Sequence, residues 1–371
     1  MPKATETTLE INLSALAHNY RYLTSKLQKD TKFMAVIKAF AYGSDSVMMA
    51  NKLAALGADY FAVAYASEGV ALRDGGVTTP VLVLHPQTVN FDKIVNRCLE
   101  PGIYSPLMLE RFIAFAEAEN LTNYPIHIKF NTGMNRIGFS PSEVSIIIKA
   151  LTKTEAVKVK SIFSHLAASE DRENRLFAEG QIEKFRKASD ALIEGLDYTP
   201  LRHTLNTSGI LNFPEAQFDM VRSGIGLYGF GNDIKENKNL RPVATLKTIV
   251  SQIHHIKKGK SVGYNFGFVA QQDTKTATLP LGHADGISRA YGKGKGFVTI
   301  QGKKAPMIGN ICMDMLMVDI TGIDCEEGDE VIVFGENITA ADFAASINSI
   351  SYEIITSVSQ RVKRIVTEDK I

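Results

Sequence analysis

The sequence predicts an α/β protein with an N-terminal TIM-like (β/α)8 barrel followed by a smaller, mostly β C-terminal domain. Up to about residue 231, short β-branched apolar runs alternate with longer segments of helical period, in roughly eight units. Eight such units favour closure into a barrel over an open sheet. Beyond Leu240, alternating apolar runs are separated by Gly- and Lys-rich turns, a pattern typical of antiparallel strands. The length of 371 residues also favours two domains, since single cores stop growing near about 250 to 300 residues.

We therefore assign residues 1–240 to the barrel and 241–371 to the β-domain, with the first strand, about residues 1–13, as a candidate to pair with the β-domain. Residues of chemical interest follow predicted barrel strands, where enzymes of this fold carry their active sites. The predicted barrel strands are Phe33–Lys38, Tyr60–Tyr65, Val81–Leu84, Pro125–Phe130, Val157–His165, Leu201–Asn206 and Met220–Gly224, and the clearest predicted helices are Ser14–Leu27, Pro106–Asn120 and Arg175–Leu192. In the β-domain the predicted strands are Ala244–Ile256, Thr276–Leu281, Gly296–Gln301 and Met315–Ile320, with one helix near Ala341–Asn348.

Composition excludes several classes of function. The 41 basic residues balance the 40 acidic ones, so no charge excess favours nucleic acid or an anionic membrane. The N-terminus lacks a signal peptide's apolar core and no apolar run reaches the about 18 residues that span a bilayer, so a cytoplasmic protein is expected. Cys98, Cys312 and Cys325 are odd in number and lack a CxxC pair, which argues against disulfides and a zinc site. No metal site is expected.

Two distant segments together predict a cofactor. Lys38 ends an apolar strand and precedes a small, turn-prone segment, and Arg222 precedes the glycine-rich residues 223–229. A lysine that can form an imine, backbone amides that can bind a phosphate and a permanently charged guanidinium for a pyridine nitrogen are the parts that hold pyridoxal 5'-phosphate. Taken singly, Lys38 could be a surface lysine and Arg222 a structural ion pair.

The same glycines also match a dinucleotide-binding pattern, Gly224-x-Gly226-x-x-Gly229. We reject that interpretation because the motif lies late in the chain and leads into the polar segment 232–239, whereas a dinucleotide site requires an apolar helix after the glycines.

The segment Lys38-Ala39-Phe40-Ala41-Tyr42-Gly43 resembles the lysine motif of alanine racemases, fold-type III pyridoxal-phosphate enzymes with a barrel followed by a β-domain. The resemblance continues over more than 300 residues, in ordered matches that together identify the family. The other matching segments are 9–19, 131–138, 164–167, 220–229, 282–289 and 309–314.

The resemblance implies two catalytic bases, Lys38 on one face of the cofactor and Tyr264 on the other, because racemisation needs proton transfer on both faces. It also implies a homodimer with shared active sites. Since Arg222 keeps its proton, the ring nitrogen it faces should stay unprotonated and the ring should be a weaker electron sink. The remaining implied roles are catalytic support by His165, Arg222 and Asp314, cofactor binding by Tyr42, His203, Asn206, Thr207, Ser208, Gly224, Ile225 and Tyr352, substrate binding by Arg136 and Met313, and a candidate carbamate on Lys129.

Four positions at three places depart from the family pattern. Phe40 replaces a usual asparagine, Ser44-Asp45 replaces a common His-Gly pair, and His283 replaces an entrance tyrosine. These changes leave the chemical residues intact, but they bear on ring polarity and on the width of the entrance.

The predicted function is racemisation of L-alanine and D-alanine, which would supply D-alanine for peptidoglycan. A broader-specificity amino-acid racemase and a non-catalytic pyridoxal-phosphate carrier are alternatives, and a carrier would need neither Tyr264 nor Arg136. A basic amino-acid decarboxylase is disfavoured by the order of the domains, and a cofactor-free Schiff-base aldolase is a further alternative.

Overall fold

The computed structural model of the chain describes residues 5–171, 173–232 and 234–368. These residues contain nineteen strands, most of them two to six residues long. The strands are β1 (Thr8–Asn12), β2 (Lys32–Val36), β3 (Tyr60–Val63), β4 (Val81–Val83), β5 (Glu100–Ile103), β6 (Tyr124–Lys129), β7 (Val157–Phe163), β8 (Leu201–His203), β9 (Met220–Ser223), β10 (Ala244–Ile249), β11 (Gln252–Ile256), β12 (Ser261–Val262), β13 (Phe268–Val269), β14 (Thr274–Leu279), β15 (Phe297–Ile300), β16 (Lys303–Ile308), β17 (Leu316–Asp319), β18 (Glu330–Phe334) and β19 (Lys363–Thr367).

The longer helices begin at the capping signals that the sequence provides. The Asn12 side chain accepts from the Ala15 amide at 2.9 Å, and the Ser105 hydroxyl accepts from the Met108 amide at 3.2 Å ahead of Pro106. Among the described residues, no helix combines the length and the apolar character needed to cross a bilayer. The α-helices are α1 (Leu13–Thr24), α2 (Lys38–Gly43), α3 (Ser46–Ala55), α4 (Ala66–Asp74), α5 (Phe91–Asn96), α6 (Pro106–Ala118), α7 (Val144–Leu151), α8 (Arg175–Glu194), α9 (Thr207–Asn212), α10 (Ile234–Asn237), α11 (Ala340–Ala345) and α12 (Ser351–Ser357).

Strands β2 to β9 form an eight-stranded parallel sheet in the order β8-β7-β6-β5-β4-β3-β2-β9. Two backbone hydrogen bonds join its outer strands, β8 and β9. The Asp219 amide donates to the Arg202 carbonyl and the Arg222 amide donates to the Leu205 carbonyl, both at 3.1 Å. The sheet is thereby closed into a barrel with helices outside it. The predicted fold class is confirmed.

Strand β5 is absent from the sequence prediction. Its four residues, Glu-Pro-Gly-Ile, include two residue types that are depleted in strands. The barrel tolerates them because Gly102 lies close to the backbone of β4, where an added Cβ would come within 3.1 Å of the Val83 carbonyl oxygen. Tertiary contact therefore overrides local propensity here.

The C-terminal domain is built on a nine-stranded sheet in the order β11-β14-β17-β16-β15-β18-β10-β1-β19. Strand β1 lies inside this sheet, antiparallel to β10 and parallel to β19. Residues 1–4 of the predicted first-strand segment lie outside the described residues. The predicted run Ala244–Ile256 is two strands, β10 and β11, and the predicted helix near Ala341–Asn348 is the shorter α11. The prediction did not name β12, β13, β16, β18, β19 or α12.

Candidate active site

A cavity of about 560 Å³ opens at the carboxyl ends of the barrel strands. The strands stop earlier than the sequence predicts, so several chemical groups lie on the loops just beyond them; β2 ends at Val36 and β7 at Phe163. The cavity brings together eleven of the predicted site residues: Lys38, Tyr42, Lys129, Arg136, His165, Asn206, Thr207, Arg222, Gly224, Ile225 and Tyr352.

The segment α2, which begins at Lys38, is a left-handed turn and not a right-handed α-helix. Ala39 to Tyr42 all have φ between 51° and 54°, and Gly43 has a φ of 83°. Left-handed backbone costs about 1 to 2 kcal/mol for each residue with a side chain. Such strain concentrates at functional sites, where the surrounding structure enforces it. The turn fixes the position from which the lysine side chain enters the cavity.

The C-terminal domain holds this turn in place. The Arg364 guanidinium donates to the Gly43 carbonyl from Nη2 at 2.9 Å and from Nε at 3.3 Å. A Cβ at Gly43 would lie 2.0 Å from the Ile355 carbonyl oxygen, so only glycine allows α12 to pack so closely against the turn. The lysine turn is therefore clamped by residues more than 300 positions away in sequence.

Glu68 supports the turn from the barrel side. Its carboxylate accepts from the Ala39 amide at 2.5 Å and from the amides of Ala64 and Tyr65 at 2.7 and 3.0 Å. Burial lowers the pKa of the Lys38 ammonium, and the nearby Arg136 lowers it further, while Glu68 partly opposes them. A lowered amine pKa increases the fraction of Lys38 that can act as a nucleophile or base.

Arg222 is buried, with 4% of its surface exposed, and binds neutral groups. Its Nη1 donates to His203 Nδ1 at 2.6 Å, and its Nη2 donates to the carbonyls of Ser164 and Thr204 at 2.6 and 3.2 Å. Burial lowers the pKa of the guanidinium to about 9, which leaves it charged at neutral pH. Among the described residues these contacts leave the Nε–H without a partner, so it is available to a ligand in the cavity.

The two histidines beside Arg222 are uncharged at neutral pH. Burial and then the Arg222 charge hold the pKa of His165 well below its usual range, and the same two causes, in the same order, act on His203. His165 Nδ1 lies 3.3 Å from Arg222 Nη2, so this nitrogen is an acceptor. His165 can therefore connect Arg222 to a group on its far side without adding charge.

One end of the cavity fits a phosphate. Among the described residues, no hydrogen bond is recorded to the amides of Gly224 and Ile225, which lie where β9 gives way to a 3₁₀ turn. A Cβ at Gly224 would lie 2.2 Å from Tyr42 Oη, so glycine keeps this space open. Burial raises the pKa of Tyr42 above its usual range and that of Tyr352 to about 12, so both phenols remain hydrogen-bond donors.

Lys129 and Arg136 line the same cavity, away from its phosphate-binding end. Lys129 is buried, and burial, followed by the charges of Arg136 and Arg222, lowers its pKa to about 7. Among the described residues, no carboxylate is recorded as an ion-pair partner of Lys129. The absence of a described carboxylate beside Lys129, with Arg136 and Arg222 nearby, favours an anionic ligand or an anionic modification here.

Five predicted residues lie outside this cavity. His203 is behind Arg222, and the Ser208 hydroxyl accepts from Asn232 Nδ2 at 2.7 Å and donates to Glu236, so it is engaged elsewhere. Tyr264, Met313 and Asp314 lie together around a separate depression of about 670 Å³ on the β-domain. Tyr264 is 74% exposed and Met313 is 59% exposed, so neither reaches Lys38 within the chain.

Comparison with known proteins places this architecture. The model of the alanine racemase N-terminal domain matches residues 11–231, and that of the alanine racemase C-terminal domain matches residues 243–366. The chain belongs to the alanine racemase family. The resemblance inferred from the motifs is thus confirmed.

Relatives named alanine racemase agree over almost the whole length. One from Desulfovibrio desulfuricans is 35% identical and covers 97% of each chain, and alanine racemase 1 of Clostridium acetobutylicum is 37% identical, covering 96% of this chain and 94% of its own. The solved alanine racemase of Clostridium difficile 630 superposes with a TM-score of 0.93 at 32% identity, covering 99% of this chain and 97% of that one. The Bacillus anthracis alanine racemase with bound L-Ala-P superposes with a TM-score of 0.91 at 28% identity, covering 99% of this chain and 96% of that one.

Sequence reasoning missed several residues of the site. Tyr65, His85 and Phe163 line the cavity but carry no motif, and only their places at predicted strand ends could have indicated them. Glu68 stands three residues after Tyr65, the N-cap of α4, but tyrosine is not a capping residue, so the sequence carries no capping-box signal. Its contact with the Ala39 amide depends on the fold.

Proposed function

We propose that this member of the alanine racemase family interconverts L-alanine and D-alanine with pyridoxal 5'-phosphate held in the barrel cavity. The observation that carries the proposal is the placement of Lys38, Arg222 and the phosphate-binding turn at Gly224 around one cavity. These groups match the aldehyde, the pyridine nitrogen and the phosphate of the cofactor respectively. Bound there, the cofactor supplies an electron sink that acidifies the α-hydrogen of an amino acid.

A coupled assay of D-alanine formed from L-alanine tests the function. We expect conversion in both directions that depends on added cofactor, and no conversion of an amino acid lacking an α-hydrogen. A folded, cofactor-loaded protein that leaves both enantiomers unchanged would contradict the proposal and favour a carrier. We also propose that the product D-alanine serves peptidoglycan synthesis and that the reaction takes place in the cytoplasm.

The chain's own residues supply binding and proton transfer. Lys38, with its lowered pKa, moves the proton on one face. Arg136 binds the substrate carboxylate with a charge-assisted pair, and the Met313 amide adds a second donor. Tyr264 moves the proton on the other face, supported by His165 through its contact with Arg222.

Tyr264 and Met313 can take these roles only if a second chain delivers them. Both are exposed on the β-domain, beside the exposed apolar side chains of Phe266 and Met315. At the barrel mouth Phe40 is also exposed. An apolar patch of this kind typically marks an interface, and a two-fold homodimer would bring the same two surfaces together twice. Asp314 would orient this segment, since it accepts from Arg361 at 2.7 Å.

We propose that Lys129 carries a carbamate. The reaction of an amine with CO₂ requires the neutral amine, and a pKa of about 7 makes that form abundant at neutral pH. The product is an anion placed among Arg136 and Arg222, where it would align Arg136 toward the substrate.

We expect a carbamate carbonyl signal when the protein is supplied with ¹³C-bicarbonate, measured by ¹³C NMR. Because the amine is protonated below its pKa of about 7, occupancy should fall as the pH is lowered through 7 and rise above it. Lys129→Ala should lack the signal, and Lys158→Ala, which removes an exposed lysine on the adjacent strand, should retain it. Persistence of the signal in Lys129→Ala would rule out this site.

Arg222→Glu is expected to change the cofactor spectrum. A carboxylate facing the ring nitrogen favours its protonation and strengthens the electron sink, so a band at longer wavelength should accumulate while racemisation slows about tenfold or more. Absorbance spectra during turnover and kcat measure this effect. Arg202→Glu, on the same barrel but outside the cavity, is the control. An unchanged spectrum and rate would mean that Arg222 acts only as a structural group.

A further inference from the structure

Five consecutive barrel strands each contribute one side chain to a buried chain of hydrogen bonds. From β9 to β5 the links are Arg222, His203, Ser161, His127 and Glu100. The donor and acceptor atoms are 2.6 Å apart from Arg222 to His203, 2.8 Å from His203 to Ser161, 2.5 Å from Ser161 to His127 and 2.7 Å from His127 to Glu100. His203, Ser161 and His127 have no exposed surface. Within the described residues this chain links the cavity to the opposite part of the barrel interior.

The chemistry of the two ends fixes the direction of every link. Arginine can only donate, so His203 Nδ1 must accept and the ring proton lies on Nε2. A carboxylate can only accept, so Glu100 accepts a hydrogen bond from the Nε2–H of His127. Between them, His203 Nε2 donates to Ser161 Oγ, and the Ser161 hydroxyl donates to His127 Nδ1. Each link therefore has one donor and one acceptor.

The opposite arrangement is poor at both histidines. A proton on His203 Nδ1 would face an Arg222 N–H at 2.6 Å, which places two donors against each other. A second proton on His127, at Nδ1, would place the Ser161 hydroxyl between two N–H donors, His127 Nδ1 and His203 Nε2. The Ser161 hydroxyl proton would then have no acceptor among the described residues. An unsatisfied buried donor is costly, so the single direction is strongly preferred.

Packing fixes the rings as well as the protons. Phe163 stacks on His203 with ring centroids 5.2 Å apart and an interplanar angle of 4°. The register of the sheet pairs His127 with Ser161 and Phe163 with His203, so alternate residues of β6, β7 and β8 all point into the barrel.

We propose that Glu100, His127 and Ser161 are positioning residues that hold His203 as the acceptor for Arg222, and so fix the guanidinium that faces the cofactor ring. The proposal rests on the proposed function for its catalytic consequence. The predicted positions of the ring protons do not depend on the proposed function, because they can be measured whether or not the protein turns over alanine.

The first test is ¹⁵N NMR of histidine-labelled protein, with and without cofactor. His203 and His127 should each show a protonated Nε2 and an unprotonated Nδ1. Assignments come from His203→Gln and His127→Gln. A proton on His203 Nδ1, or two protons on either ring, would overturn the proposal even if the protein is a good racemase. The expected pattern in a protein without racemase activity would instead contradict only the proposed function.

A matched pair at Glu100 tests the consequence. Glu100→Gln keeps an oxygen that accepts from His127, whereas Glu100→Leu keeps similar volume and removes the acceptor. We expect Glu100→Gln to keep the ring proton of both His127 and His203 on Nε2 and to keep kcat within about threefold of the unaltered value. We expect Glu100→Leu to move the His127 proton to Nδ1 and to lower kcat about tenfold with KM unchanged. An equal loss in both variants would mean that the carboxylate charge, not the hydrogen-bond direction, is what acts, and would overturn the proposal.

Ser161→Ala cuts the chain in the middle, so the same loss of kcat at constant KM is expected. Ser189→Ala is the control, because Ser189 is equally buried but donates to the Arg186 carbonyl on α8, outside the barrel interior. If both serine variants behave alike, the effect is one of general packing and the proposal is wrong.

Discussion

Lys38→Ala is expected to lower racemase activity by about 10³-fold or more, because the variant loses both the covalent attachment of the cofactor and one of the two bases. The absorbance of the cofactor bound to lysine should disappear with it. In the unaltered protein, borohydride should fix the cofactor irreversibly, and peptide mapping should locate it on Lys38.

Lys158→Ala is a suitable control, since it removes an exposed lysine from β7 and should leave rate and spectrum unchanged. Recovery of the reduced cofactor on Lys129 or Lys158 would refute the assignment of Lys38.

Mixing two inactive variants is expected to restore about a quarter of the unaltered activity. Lys38→Ala and Tyr264→Phe chains should each be nearly inactive alone. In a shared-site dimer, a mixed pair contains one site with both changes and one site with neither. Random re-pairing makes half of the dimers mixed, each with one intact site of two, which gives the quarter. The measurement is the rate of D-alanine formation after subunit exchange.

Subunit exchange must be shown independently, for example by native mass spectrometry of chains of different mass. If mixed dimers form and the mixture stays inactive, Tyr264 does not act across a dimer interface. A mixture of Lys38→Ala with Lys129→Ala serves as the matched control, because both residues line the same cavity of one chain. Each site of that mixed dimer carries one of the two changes, because each site takes both lysines from one barrel, so this mixture should not recover beyond the activity of the two variants measured separately.

Much of the barrel was predictable because its information is local. Apolar strands, helix caps and strand-end residues such as Lys38 and Arg222 carry their signals within a few positions, and parallel strands then bring their carboxyl ends together. Strand β5 was not predicted, because its proline and glycine are unfavourable in an isolated strand and are accommodated only by the neighbouring strands. The left-handed turn after Lys38 escaped for the same reason, since a distant arginine enforces it.

The site residues divide in the same way. Glu100, His127 and Ser161 belong to no motif that we recognised, and only the strand register reveals that they connect to Arg222. The resemblance implies that Lys38 and Tyr264 meet across a shared-site dimer, whereas the exposure of Tyr264 on the β-domain follows only from the tertiary structure.

The insertion of β1 between β10 and β19 has a consequence for how the molecule is made. Strand β1 is synthesised before the whole barrel, and β19 after it, yet the two pair in register from Thr8 with Lys363 to Asn12 with Thr367. At about 5 to 20 residues per second, the ribosome takes on the order of tens of seconds to deliver that partner. During this interval β1 can pair only with β10, so Leu9 and Ile11, which are buried in the folded protein, lack the strand on their other side. The barrel strands are therefore all made before β1 has any partner strand, and β1 gains its second neighbour only when β19 is made.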